Sequence, residues 1–252
     1  MSEPSRKMLR LAAVLLACAG LLTASALPTT AQNVTIGFGE GSGVTERAVQ
    51  LIALITVLSL APSILVMVTS FTRIVVVLSL LRTAIGIQQS PPNAVVISLA
   101  LFLTAFVMGP VFQTAYDNGI EPLINDQIEL NQAFEQTSKP FQGFMLAHVR
   151  EKDLSLFLDF SGDKQAKKAE DVSLRVLVPA FMISELKRAF EIGFLLFVPF
   201  IVIDLVVASV LMSMGMMMLP PVIISLPFKL IFFVLVDGWH LVAGSLVQSY
   251  GN

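Results

Sequence analysis

Residues 83–116 read TAIGIQQSPPNAVVISLALFLTAFVMGPVFQTAY, 34 residues without one charged side chain. That exceeds the ~20 apolar residues a helix needs to cross the hydrocarbon core of a bilayer. The stretch is punctuated once, at Gln88-Gln89-Ser90-Pro91-Pro92-Asn93, where paired prolines lack amide donors and break a helix. A spanning helix is therefore predicted near Val95–Phe112. Upstream, residues 48–72 form a second uncharged run of 25 and predict another span near Val49–Val68. Between the two, Ile74–Leu81 is apolar but bounded by Arg73 and Arg82. It is too short to span alone, and is expected to extend the first helix or to lie in the interface.

Composition agrees with this pattern. Of 252 residues, 55% are hydrophobic and only 13% charged, against ~25% charged in soluble domains. The formal net charge of −2 provides no basic field for nucleic acid. One cysteine and two histidines are too few for a disulfide framework or a cysteine/histidine zinc site. No nucleophile–base pair or phosphate-cradling glycine loop stands out, and Gly37, Gly39, Gly41 and Gly43 have no strand-to-helix context. Neither enzymatic activity nor a cofactor is expected.

The N-terminus has the layout of a secretory signal: Arg6, Lys7 and Arg10, an apolar core at Leu11–Leu22, then small residues at Ala24–Ala26 and Thr29–Ala31. Cleavage after Ala26 or Ala31 is expected, which makes 1–31 a cleavable signal peptide and 32–48 a flexible periplasmic N-terminus. It would remove Cys18. A lipoprotein-type site at Cys18 and an uncleaved anchor are the alternatives.

From Asp117 to Glu191 the composition changes, with 13 acidic and 9 basic residues, a local balance of −4. This predicts a solvated helical domain, with helical character at Asn125–Phe134 and Lys164–Val176 and punctuation at Pro140 and Pro179. Residues 192–252 are apolar again and are broken near Gly215-Met216-Met217-Met218-Leu219-Pro220-Pro221. The expectation is an all-α protein with four hydrophobic helical segments. They form one hairpin at 49–116, with a cytoplasmic-side loop at 69–93, and another at 192–252. The polar domain, 117–191, lies between them. Arg73 and Arg82, without acids nearby, orient that loop to the cytoplasm by the positive-inside rule, and the polar domain then lies outside.

Inside the apolar segments, Asp204 and Lys229 stand out. An isolated charge at the centre of a membrane helix costs at least ~2.5–3.5 kcal/mol. If the chain reverses near Met218, the two residues are at matching depth to within ~5 Å. They can pair within one hairpin or between subunits. A structural ion pair is favoured over a proton relay, since a relay needs further titratable groups. Asp237 and His240 lie one turn apart and can cap a helix or face water. Met216, Met217 and Met218 form an adaptable apolar cluster; composition alone favours ordinary packing over a pore closure.

Thr69-Ser70-Phe71-Thr72-Arg73-Ile74 through Arg82, followed by Gln88–Asn93, resembles the first signature of the FliP family of flagellar type III export-gate proteins. Val178-Pro179-Ala180-Phe181-Met182-Ile183-Ser184-Glu185-Leu186-Lys187-Arg188 through Phe194 resembles the second, and Asp204–Tyr250 is similar throughout. The resemblance implies a subunit of the inner-membrane export gate at the flagellar basal body. With FliQ and FliR, such subunits (a pentamer in the family) build a conduit for unfolded flagellar proteins. Hairpins that look transmembrane stand partly above the membrane in that assembly. The resemblance also implies that Met216, Met217 and Met218 form a gasket, reversing the packing preference, and that Asp204 and Lys229 are the family's inter-helix charge pair. Glu185, Phe144 and Phe157 fall where the family makes contacts between subunits or within the polar domain. Energy for transport would come from other components of the apparatus. The injectisome homologues are the near alternative, but they commonly lack a cleaved signal. A stand-alone solute transporter or ion channel would need several polar groups converging at mid-membrane and inverted repeats; only Asp204 and Lys229 converge, and the sequence has no clear internal repeat.

Overall fold

The computed structural model describes residues 44–87, 89–161, 172–216 and 219–251. The expected signal peptide, Cys18, Met217 and Met218 lie outside the described residues. The chain divides into two compact units, Met1–Leu54 and Ile55–Asn252. In the first, the described residues are the start of helix α1 (Val44–Val68), so Val44–Ala48, expected to be flexible, are helical. All candidate site residues lie in the second.

The regular structure of the described residues is helical. From Ile55 to Leu65 every described α1 side chain is exposed. At Thr69–Ser70 the chain bends, the Thr72 hydroxyl donating back to the Val66 carbonyl at 3.2 Å. Helix α2 (Phe71–Ile85) follows. Ile74, Val77, Leu78, Leu81, Ala84 and Ile85 recur at helical spacing, and all are buried at the centre of the main apolar cluster. Ile74–Leu81 is thus part of a separate core helix and not an extension of α1. This corrects the expected loop at 69–93. Most of that stretch is core helix, and the connection proper is only Gly86–Pro92. Gly86 ends α2 at φ +92°, a left-handed geometry that suits glycine.

Helix α3 (Asn93–Ala115) runs into a π-helical turn, Tyr116–Ile120, and a short helix α4 (Glu121–Ile124). The π turn brings Gly119 hard against the next long helix, α5 (Leu130–His148), where a Cβ would lie 2.0 Å from Thr137 Oγ1. Helix α6 (Glu151–Ser161) completes the polar part. A satellite cluster of Met145, Val172, Val176, Leu177 and Phe181 forms beneath α5 and α6, with Phe144 and Phe157 packed on it.

Helix α7 (Leu174–Ser213) is continuous for 40 residues. The boundary expected between Glu191 and Ile192 therefore falls inside one helix. Charge density reports which part of a helix meets water, not where the helix ends. Pro140 and Pro179 likewise lie within α5 and α7 and do not end them. Each removes one backbone hydrogen bond, and around Pro179 the packing of Leu177, Ala180 and Phe181 holds the turn. Asn125–Gln127 form a turn with Asp126 at φ +55°, so helix α5 begins only at Leu130.

The most extensive packing in the fold is α2 on α7. Leu80 meets Gly193 so closely that a Cβ there would sit 2.3 Å from Leu80 Cδ1. Arg73 pairs with Glu185. Contact positions rise together along the two helices, so α2 and α7 run parallel. Helices α8 (Pro221–Leu235) and α9 (Gly238–Gln248) close the second hairpin, bent by 62° at Val236–Asp237. By length and composition α1, α3–α4 and α7 can each cross a membrane, and the bent α8–α9 pair makes up to four spans.

Candidate functional site

Two buried polar knots hold Arg73, Glu185, Asp204 and Lys229. The first knot lies where α2, α7 and the residues after α9 meet. Arg73 shares the buried face of α2 with Val77 and Leu81, at i+4 and i+8, so its guanidinium enters the core. Both Arg73 and Glu185 are 0% exposed. Arg73 Nε donates to Glu185 Oε2 at 2.9 Å, and Nη2 donates to Oε1, a two-point fork. Arg73 Nη1 donates to Ser249 Oγ at 3.1 Å. The Tyr250 hydroxyl donates to Glu185, and its ring lies 3.9 Å beneath the Arg73 guanidinium carbon. Burial, then the negative charge of Glu185, pushes the Tyr250 phenol well above its ordinary range, so it remains a donor.

Phe144 and His148 of α5 pack against the same tyrosine, with ring centroids at 5.9 and 5.1 Å. Phe144 also meets Phe181 edge-on at 5.9 Å. Phe157 packs within the satellite cluster and against Phe160. Glu185, Phe144 and Phe157 thus all make contacts inside one subunit. Arg73 is not a loop charge but a sealed core one. Arg82 alone of the two keeps a surface role, donating to the Asn93 side chain and to the Pro91 carbonyl at 3.3 Å.

One residue before Glu185, Ser184 faces the polar helices. Its hydroxyl donates to Asp153 Oδ2 at 2.6 Å and accepts from the Arg150 amide at 3.1 Å. Arg150 Nε reaches the same carboxylate at 2.7 Å. Burial opposes ionisation of Asp153, but the hydrogen bonds from Ser184 and Arg150 and the charge of Arg150 outweigh it. The carboxyl is held below its usual range.

The second knot lies at the far end of α2. Lys229 is buried and donates to Asp204 Oδ2 at 2.7 Å, joining α8 to α7 within one hairpin. It also points toward the Ala84 carbonyl in the last turn of α2, at 3.5 Å, where a cation suits the helix dipole. Ser225, one turn earlier on α8, donates to the other Asp204 oxygen. Met216 follows α7 and is 40% exposed. Of the two roles expected for Asp237 and His240, Asp237 (φ +51°) makes no side-chain cap for α9, and both residues are exposed.

Tyr250, Ser225, Ser184 and Asp153 were not singled out as site residues by the sequence. Arg73 could have been placed by its phase, since it lies on the apolar stripe of its own helix. Ser225 could have been placed by its i,i+4 relation to Lys229. Nothing local marks Tyr250, whose partners are 177 and 65 positions away.

The sequence pattern of the FliP family matches residues 54–246. The chain belongs to the FliP family. It is 66% identical over 235 residues to the flagellar biosynthetic protein FliP of Caulobacter vibrioides, covering 93% of this chain and 87% of that protein. To the FliP of Agrobacterium fabrum it is 50% identical, covering 94% and 96%, and to that of Bacillus subtilis 54%, covering 81% and 93%. FliP membership gives the chain a role in flagellar export, and its long apolar helices suit a membrane location.

Proposed function

We propose that the chain is a core subunit of the flagellar type III export gate. Several copies, a pentamer by resemblance, would assemble in the inner membrane with FliQ and FliR into a conduit for unfolded flagellar subunits. Met216, Met217 and Met218 would seal it, with the polar helices on the periplasmic side. The observation that supports an oligomer best is apolar surface where lipid is not the natural cover. On the polar helices Leu130, Phe134 and Phe160 are 71%, 71% and 73% exposed. Large exposed apolar side chains beside charged ones mark a surface for other protein. Transport energy would come from partner components.

Purification from a flagellated host tests the assembly. A ring containing two small hydrophobic partner proteins is expected, and a stable monomer would overturn it. Replacing all three methionines by alanine should make the inner membrane leaky to small ions while the ring still forms. Unchanged ion permeability would remove the gasket from the proposal.

A further inference from the structure

We infer that Ser225 is the positioning residue of the Asp204–Lys229 pair, fixing the α7–α8 hairpin that carries the methionine turn. Three observations carry this. Ser225 is 0% exposed, so no water competes for its hydroxyl. It stands one turn before Lys229 on α8, and the two side chains donate to different oxygens of the same carboxylate. Asp204 itself is 32% exposed at its side chain while Lys229 is 5%.

A carboxylate with that much access to its surroundings can rotate about its side-chain torsions and leave a single ammonium. Held at both oxygens by donors spaced i and i+4, it keeps one orientation, and α8 cannot slide along α7 without losing both bonds. The Val222 carbonyl, 3.1 Å from Ser225 Oγ, offers the hydroxyl a second acceptor. The proton goes to the ionised carboxylate, because charge-assisted bonds are roughly twice as strong as neutral ones. Lys229, oriented in this way, keeps its reach to the end of α2. The methionine turn is thereby referenced to the most buried helix of the subunit.

The link to the methionine turn's sealing role rests on the export-gate reading; the assignment of Ser225 to Asp204 does not. The test is a double-mutant cycle of Ser225→Ala and Asp204→Asn in the assembled, detergent-solubilised protein, read by thermal midpoint, with export of flagellar subunits followed in parallel. Ser225→Ala should lower the midpoint by roughly 2–6 °C and export about three- to tenfold. It should cost little more once Asp204→Asn is present. Ser225→Thr, which keeps the hydroxyl, should restore most of both and remains informative if the alanine variant does not assemble. Additive losses, an Ser225→Ala protein indistinguishable from wild type, or failure of threonine to rescue would overturn the assignment. A non-additive cycle with export unchanged counts against the conduit reading and leaves Ser225 in place.

Discussion

The two ion pairs that clamp α2 use the same chemistry in different surroundings. Arg73 and Glu185 are closed off completely, with side chains 1% and 0% exposed, and are finished by Tyr250 and Ser249. Asp204 and Lys229 form the looser knot, with the acid open at 32%. A sealed pair held by several hydrogen bonds tolerates no loss of a member, because what remains is a buried, uncompensated charge. An open pair leaves its remaining member only partly enclosed by the subunit's own core. The subunit is thus pinned at one end of α2 by a fully enclosed pair and at the other by a partly open one that Ser225 completes, and the partly open end is the one nearer Met216.

Substitutions can break this contrast. Arg73→Leu should destabilise by about 3–5 kcal/mol, leaving Glu185 alone in the core, and should abolish assembly on native gels. Arg73→Lys should rescue it poorly, since an ammonium cannot reproduce the two-point fork. Lys229→Met is expected to cost somewhat less, about 2.5–3.5 kcal/mol, because the remaining carboxylate is not fully enclosed by the subunit; thermal midpoints of the two variants compare them directly. Lys229→Asp should block assembly, with partial recovery on adding Asp204→Lys, and a failed swap would argue that the pair does not act directly. Tyr250→Phe removes one hydroxyl donated to a charge, for a loss of about 1.5–3 kcal/mol in chemical denaturation.

The smallest effect comes from the polar helices. The Asp153 carboxyl is depressed in the folded protein, so the unfolded chain binds its proton more readily. Its contribution is full above the unfolded value of ~3.9 and is lost as pH falls through the lower folded value. The thermal midpoint should therefore fall below about pH 4. Asp153→Asn should flatten that limb, and Ser184→Ala should move it to higher pH.

Much of the fold was legible because it depends on local properties. Uncharged runs located α1 and α3, and depth matching across a turn paired Asp204 with Lys229. Other parts depend on relations the chain does not print locally. Helix α7 crosses a sharp change in composition because solvation changes along it while helical hydrogen bonding does not. Arg73, counted as a loop charge, is core because a glutamate 112 positions later waits for it. Prolines at 140 and 179, which punctuate the segment in the sequence, lie inside continuous helices.

The length of α7 has a consequence of its own. At 40 residues it is a rod of about 60 Å, twice the ~30 Å thickness of bilayer hydrocarbon. Set upright in a membrane, such a rod leaves about half its length outside the oil. A displacement of its polar end by Ser184 and Glu185 would be carried toward the methionine end through continuous helix, in which Pro199 is the intervening turn that lacks a backbone hydrogen bond. The subunit contains a lever long enough to report, at the seal, on events at the far surface.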